Sequence, residues 1–198
     1  MKYIISIALF SLILSKTFSQ EIKPAVQHGH FKEVTYLLLN EEQHIIQSYS
    51  ADQQVITWDL KTGMMVGAKN SFGENLALQV SQNTILQNDT VYKITGPLLT
   101  ITVNNKVVAS KTTTYFDLGY TSFIIQKNNP YLFAASQDGQ IYVYEKQNLR
   151  LVKNLRNHNS AVLCLQMSAD GNFLYSSGQD RSIIEWSTKD LVLKRRFY

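Results

Sequence analysis

The sequence predicts an all-β chain built from repeated four-stranded antiparallel units. Four residue types recur at matching offsets: His30, Ser48, Asp52 and Trp58 in one stretch, and His158, Ser176, Asp180 and Trp186 in another, with steps of 18, 4 and 6 residues in both. Short β-rich runs alternate with clusters of Asn, Asp, Gly, Gln and Ser, the pattern of strands joined by tight turns. No stretch sustains the apolar period of an amphipathic helix. Spacing shared by four residue types marks a structural repeat, because stacked units bury a core that none of them buries alone.

The elements follow in order from the amino terminus. Lys2, the apolar run at 4–14 and the small residues Thr17 and Ser19 have the layout of a secretory signal peptide, so residues 1–19 are expected to be a leader and 20–198 a single domain. The apolar run is too short to cross a bilayer of about 30 Å as a helix. The expectation is therefore a secreted or periplasmic protein with no membrane span once the leader is removed. Loss of Lys2 and Lys16 lowers the formal charge from +4 to +2, which gives no argument for nucleic acid. Cys164 is alone, so no internal disulfide can form, and its apolar neighbourhood reads as core.

The first unit has strands at 34–39, 44–48, 54–58 and 64–68, with Lys61-Thr62-Gly63 as a turn. In the last, strands at 161–167, 173–177, 182–186 and 191–197 are separated by turns at 168–172, 178–181 and 187–190. A third unit opens at Thr121, where Asp138 and Tyr144 repeat the six-residue step with Tyr in the Trp place. Asp138 to Asp180 is 42 residues and Asp52 to Asp138 is 86, two periods of 43, so a further unit lies between. Its strands are expected at 76–80, 84–87, 90–94 and 98–103, with 106–116 as an extra β excursion and the register left open.

Gly29-His30, the Ser-x-x-x-Asp step and Val55-Ile56-Thr57-Trp58-Asp59 resemble the WD repeat. So do Asn157-His158, Ser168-Ala169-Asp170-Gly171, Gly178-Gln179-Asp180 and Ile183-Ile184-Glu185-Trp186, except that Ser187 stands where the Asp of the Trp-Asp pair would be. The resemblance covers 23–198 and implies a β-propeller of about four four-stranded blades around a channel. It also implies that each His, Ser, Asp and Trp set forms a hydrogen-bonded chain inside its blade, which the donors and acceptors of those side chains allow. The third unit would lack that chain, with Phe116 and Ala134 in the His and Ser places. A run at 22–27 resembles an outer strand while 191–197 supplies another, so the ring is expected to be incomplete and the chain the amino-terminal part of a longer propeller protein. Closure as four blades, or pairing with a second copy, is the alternative.

A Ser/His/Asp set also fits a hydrolase triad, but two copies at matched spacing favour structure. His28, His30 and His44 lack the Cys or carboxylate partners of a metal site, and neither a metal nor a cofactor is expected. Asn88-Asp89-Thr90 is a glycosylation sequon. The resemblance implies a non-enzymatic scaffold that binds a protein or peptide at the propeller rim. Its contacts would come from Ala51, Gln137 and Gln179, before each blade Asp, and from Glu33, Thr35, Ala161 and Leu163, shortly after each His position. The alternative is the docking portion of a larger secreted enzyme, such as a caspase-like hydrolase.

Overall fold

The computed structural model describes residues 29–71, 83–113 and 118–197, and these form sixteen strands in four antiparallel sheets. Blade 1 holds β1 (Val34–Asn40), β2 (Ile45–Ser50), β3 (Gln54–Asp59) and β4 (Met65–Asn70). Blade 2 holds β5 (Thr84–Gln87), β6 (Thr90–Thr95), β7 (Leu98–Val103) and β8 (Lys106–Thr112). Blade 3 runs through β9 (Tyr120–Ile125), β10 (Tyr131–Ser136), β11 (Gln140–Glu145) and β12 (Leu151–Arg156). Blade 4 ends the chain with β13 (Val162–Met167), β14 (Phe173–Gly178), β15 (Ile183–Ser187) and β16 (Val192–Phe197). Each sheet is a meander in chain order. The expected leader, the expected strands at 22–27 and 76–80, His28 and Phe116 lie outside the described residues. No helix among the described residues is long and apolar enough to cross a membrane.

The second unit corrects one expectation. Residues 106–112 are the outer strand of blade 2, paired along its length with β7, and not an excursion beyond it. Asn104 and Asn105, at φ 48° and 61°, make the two-residue turn that folds β8 back on β7. Asn tolerates that left-handed backbone better than most residues. A register shift at Ile101/Thr102 also fixes the alignment, because the same shift falls at Thr57/Trp58, Val143/Tyr144 and Glu185/Trp186. Thr102 therefore stands in the tryptophan position of blade 2.

Three apolar clusters hold blades face to face. Tyr92, Leu99 and Ile101 of blade 2 pack with Tyr120, Leu132 and Tyr144 of blade 3. Phe133 and Leu155 of blade 3 pack with Leu174 and Trp186 of blade 4. The third cluster brings the chain's ends together: Leu37, Ile46 and Trp58 of blade 1 meet Cys164, Tyr175 and Phe197 of blade 4. Phe197 sets its ring against Trp58 edge-on at 6.2 Å, and Ser177 Oγ donates to the Val34 carbonyl at 3.0 Å. Blade 1 is thus seated on blade 4. Cys164 is core, as its sequence setting suggests, and burial pushes its thiol up to about 11.

One position shows how the interfaces differ. Leu149 and Leu191, five residues beyond the tryptophan position in blades 3 and 4, adopt φ 56° and 55°. Such a backbone costs a bulky residue about 1–3 kcal/mol, offset by burying a leucine side chain, which contributes about 1.5–3 kcal/mol. Both leucines lie in the inter-blade cores. The equivalent in blade 1 is Gly63 at φ 76°, and a Cβ there would come within 2.6 Å of Arg195 Cδ. At the joint between the chain's ends, an arginine from blade 4 takes the space that a leucine fills elsewhere. Its Nη1 donates to the Leu60 carbonyl at 2.6 Å, and its guanidinium lies 5.9 Å from the Phe197 ring centroid. Gly63→Ala is expected to cost about 1–3 kcal/mol, read as a lower urea midpoint with unchanged slope.

Candidate functional site

The two polar sets close as hydrogen-bonded chains. In blade 1, Trp58 Nε1 donates to Ser48 Oγ at 2.7 Å, Ser48 Oγ lies 2.7 Å from His30 Nε2, and His30 Nδ1 lies 3.2 Å from Asp52 Oδ2. Blade 4 repeats this with Trp186 to Ser176 at 2.8 Å, Ser176 to His158 at 2.8 Å, and His158 to Asp180 at 3.0 Å. A neutral imidazole satisfies every partner: Nδ1–H donates to the carboxylate and Nε2 accepts the serine proton. Ser48 and Ser176 have no exposed surface. Each hydroxyl is thus closed off from solvent and engaged on both sides, which is not the arrangement of a nucleophile open to a substrate.

Each carboxylate also holds a turn. Asp52 accepts the N–H groups of Phe31 and Gln54, and Asp180 those of Asn159 and Ser182. Burial alone would raise both carboxyls; the backbone donors and His30 in one, and His158, Asn159 and Ser182 in the other, hold them below the usual range. The next residue is left-handed in three blades, at Gln53, Gly139 and Arg181. Burial lowers the His30 imidazole below its ordinary 6.5, against the pull of Asp52.

Blade 3 replaces the chain with tyrosines. Ala134 pairs with Tyr142 where Ser48 pairs with Ile56 and Ser176 with Ile184. The lost hydroxyl returns on Tyr142, which donates to Asp138 Oδ2 at 2.5 Å, while the Tyr120 and Tyr144 hydroxyls lie 2.7 Å apart. Tyr120 and Tyr142 were not singled out from sequence; the signal was a tyrosine in the place of Ile56 and Ile184. Ser187, which departs from the Trp-Asp pair, does the work of Asp59. Asp59 caps Thr62 N–H at 2.6 Å, and Ser187 Oγ accepts from Asp190 N–H at 3.2 Å.

Several of the residues expected to make contacts are bonded across one end of blades 1, 3 and 4. The Ala51 N–H donates to the Glu33 carbonyl at 3.2 Å, and the Gln179 N–H to the Ala161 carbonyl at 2.9 Å. In blade 3 the Gln137 N–H meets the Gly119 carbonyl at 3.0 Å, which adds Gly119 as an unforeseen member. Ala51, Gln137, Gln179 and Thr35 are exposed, Glu33 and Leu163 half-buried, and Ala161 buried. Thr35 and Leu163 are the bulged residues of β1 and β13, a place that Thr121 takes in β9. The Gln179 side chain accepts the Ser160 hydroxyl at 3.1 Å and Gln137 Oε1 accepts the Gly119 N–H at 3.2 Å, so both amides are held in position. No group of three or more metal-ligating side chains that could hold an ion occurs among the described residues.

Residues 149–187 match the family model described as WD domain, G-beta repeat. Residues 149–187 thus carry one WD repeat, and the four sheets have the propeller fold. Over 85% of its length it superimposes on 54% of the WD40 propeller domain of Doa1, with a TM-score of 0.51 at 18% identity. It is 27% identical over 172 residues to zinc finger CCCH domain-containing protein 17 of Oryza sativa subsp. japonica, covering 82% of this chain and 36% of the rice protein. It is also 35% identical over 74 residues, 33% of this chain, to the probable di- and tripeptidase DUG2 of Saccharomyces cerevisiae, covering 8% of that protein. The chain thus spans about a third of the rice relative and far less of the yeast one.

Trp58→Ala and Trp186→Ala should each cost about 3–5 kcal/mol by opening a cavity at an inter-blade core, seen as a clear fall in denaturant midpoint; a midpoint that barely moves refutes the core assignment. His30 makes stability depend on pH. Its native imidazole resists the proton that the unfolded chain accepts, so its contribution is full above about pH 6.5 and is lost as pH falls below that value. Asp52, held low, adds a further loss as pH falls below 3.8. Denaturant midpoints across pH should show the upper step in the wild type and not in His30→Gln.

Proposed function

We propose that the chain is an exported, non-enzymatic WD40 scaffold that binds a protein or peptide through turns at one rim of the propeller. One observation carries this reading: both Ser/His/Asp/Trp sets are consumed inside their blades, while Gln137 and Gln179 at the turns are exposed and held in place by neighbouring groups. WD40 propellers usually bind proteins, and recognition energy concentrates in a few well-placed side chains. Glu33, Thr35, Ala51, Gln137, Ala161, Leu163 and Gln179 are the assigned contacts, with Gly119 completing the set in blade 3. Export rests on the leader at 1–19.

Capture of partners by the tagged chain, compared with Glu33→Ala, Gln137→Ala and Gln179→Ala, tests the rim. Loss of a specific partner with unchanged folding supports it, and equal recovery by all variants discards the contact set. N-terminal sequencing of native protein from the culture medium should begin at Gln20; retention of residues 1–19 inside cells rules out export.

The second reading, the docking part of a larger secreted enzyme, has one observation in its favour: DUG2, whose name gives a probable peptidase, shares part of this sequence. An immunoblot of the native source decides between them. A band at the size of this chain favours the scaffold; a much larger one that co-purifies with hydrolase activity favours the enzyme.

A further inference from the structure

The outer wall between blades 3 and 4 carries a groove of about 270 Å³, lined by none of the contact residues assigned above. Its floor is apolar, formed by Leu155, Trp186 and Leu191, with Leu193 at the edge and Lys153 and Arg156 on the blade 3 side. The strands that bound it, β12 and β16, contain five cations and no carboxylate. Four of the five already have partners: Arg195 reaches the Leu60 carbonyl, Arg196 the Asn157 carbonyl and Lys194 the Asp190 carboxylate at 3.5 Å, while Arg156 Nε donates to Gln140 Oε1 at 3.0 Å, a neutral acceptor that leaves its charge unmatched. Lys153 and Arg156 remain exposed at the groove. Leu151, Val152, Val192 and Leu193, all 37–46% exposed, continue the apolar surface along both strands.

Positive charge on outer strands is sufficient to discourage pairing between sheet edges. That role needs no apolar floor and no exposed aliphatic pair beside each cation. Opposite charge with aliphatic content fits all of these features at once. We propose that this groove docks an acidic polypeptide segment in which Asp or Glu alternates with aliphatic residues. In an extended segment alternate side chains point to opposite sides, so aliphatic residues would enter the floor while carboxylates meet Lys153 and Arg156.

A phosphate polymer matches the charge but not the rest. Asn154, in the groove wall, has its Oδ1 enclosed and without a donor, while its Nδ2 donates to Gln140 Oε1 at 3.1 Å. Turning that amide outward would offer the oxygen to a peptide N–H, and a phosphate brings only acceptors to it. The concave shape likewise suits a chain better than a flat lipid surface.

The test uses the full chain and fluorescein-labelled peptides of alternating Glu and Leu, alternating Lys and Leu, and scrambled acidic composition, with a single-stranded oligonucleotide and anionic vesicles as rivals. The alternating acidic peptide should bind by anisotropy, weaken with salt, and lose about tenfold in affinity against Lys153→Glu/Arg156→Glu. Leu193→Ser, on an exposed edge, should weaken binding without unfolding the blade, and circular dichroism checks both variants. Gln137→Ala and Gln179→Ala should leave binding unchanged, which separates this groove from the rim. Equal binding by wild type and the charge-reversed variant, or tighter binding of the oligonucleotide or vesicles, overturns the proposal.

Discussion

A serine hydroxyl with no exposed surface takes the indole N–H of one strand and gives its own proton to an imidazole that precedes another. That contact joins three pieces of chain at one point: Ser48 on β2, Trp58 on β3 and His30 ahead of β1. The carboxylate on the far side of the imidazole fixes the turn between β2 and β3 as well. Each member is paired, so burying four polar groups does not leave the one or two unpaired donors that would make such a chain costly. Register follows from this. A slip of one residue would exchange the faces of the strand and separate the hydroxyl from both partners.

The same logic explains where the blades meet. A tryptophan held by its N–H has its ring orientation fixed, and that ring is what the neighbouring blade packs against. Trp186 serves the joint with blade 3, and Trp58 the joint with blade 4. At the second joint, between blades 1 and 4, the packing differs. Gly63 stands where Leu149 and Leu191 accept a left-handed backbone, and Arg195 enters the space that the missing side chain leaves. Arg195 also lies 3.9 Å from Glu185, a carboxylate that burial holds above its usual range. A flexible cation bonded to a carbonyl of blade 1 needs less exact fit than a buried leucine, and it ties together segments that are far apart in the chain.

How much of this could be read in the sequence depended on what kind of signal each blade uses. Blades 1 and 4 announce themselves because a hydrogen-bonded chain demands particular side chains at particular steps. Blade 3 was half visible: Asp138 and Tyr144 kept their spacing, but Tyr120 and Tyr142 rebuild the polar interior with groups that look like ordinary strand formers. Blade 2 was nearly silent. With Thr102 in the tryptophan place and Gly96-Pro97 at the turn where other blades have an Asp, nothing polar marks its register. Its outer strand was read as β but placed beyond the blade, because a strand at 76–80 was already counted as the first of the four. The backbone pairing of the expected contact positions was not legible, because the hydrogen bonds made by the Ala51 and Gln179 N–H groups leave no mark on residue type.

Structural use of the polar sets also decides where recognition can occur. A Ser/His/Asp constellation serves catalysis only if the hydroxyl can approach substrate and the imidazole can move a proton to and from it. In both blades the hydroxyl is enclosed, and the imidazole is committed to holding the turn. What remains for recognition lies on surfaces that the internal chains position without using: the turns, where exposed glutamines are held by neighbouring N–H and hydroxyl groups, and the outer strands, where cations stand beside aliphatic side chains. These two surfaces differ in chemistry. Amides at the turns offer directional bonds and suit selection of a specific sequence. The outer wall offers charge and apolar area and suits acidic segments as a class. A scaffold with both could bind a specific partner at its rim while leaving its wall for a more general contact, because no side chain assigned to either surface is shared between them.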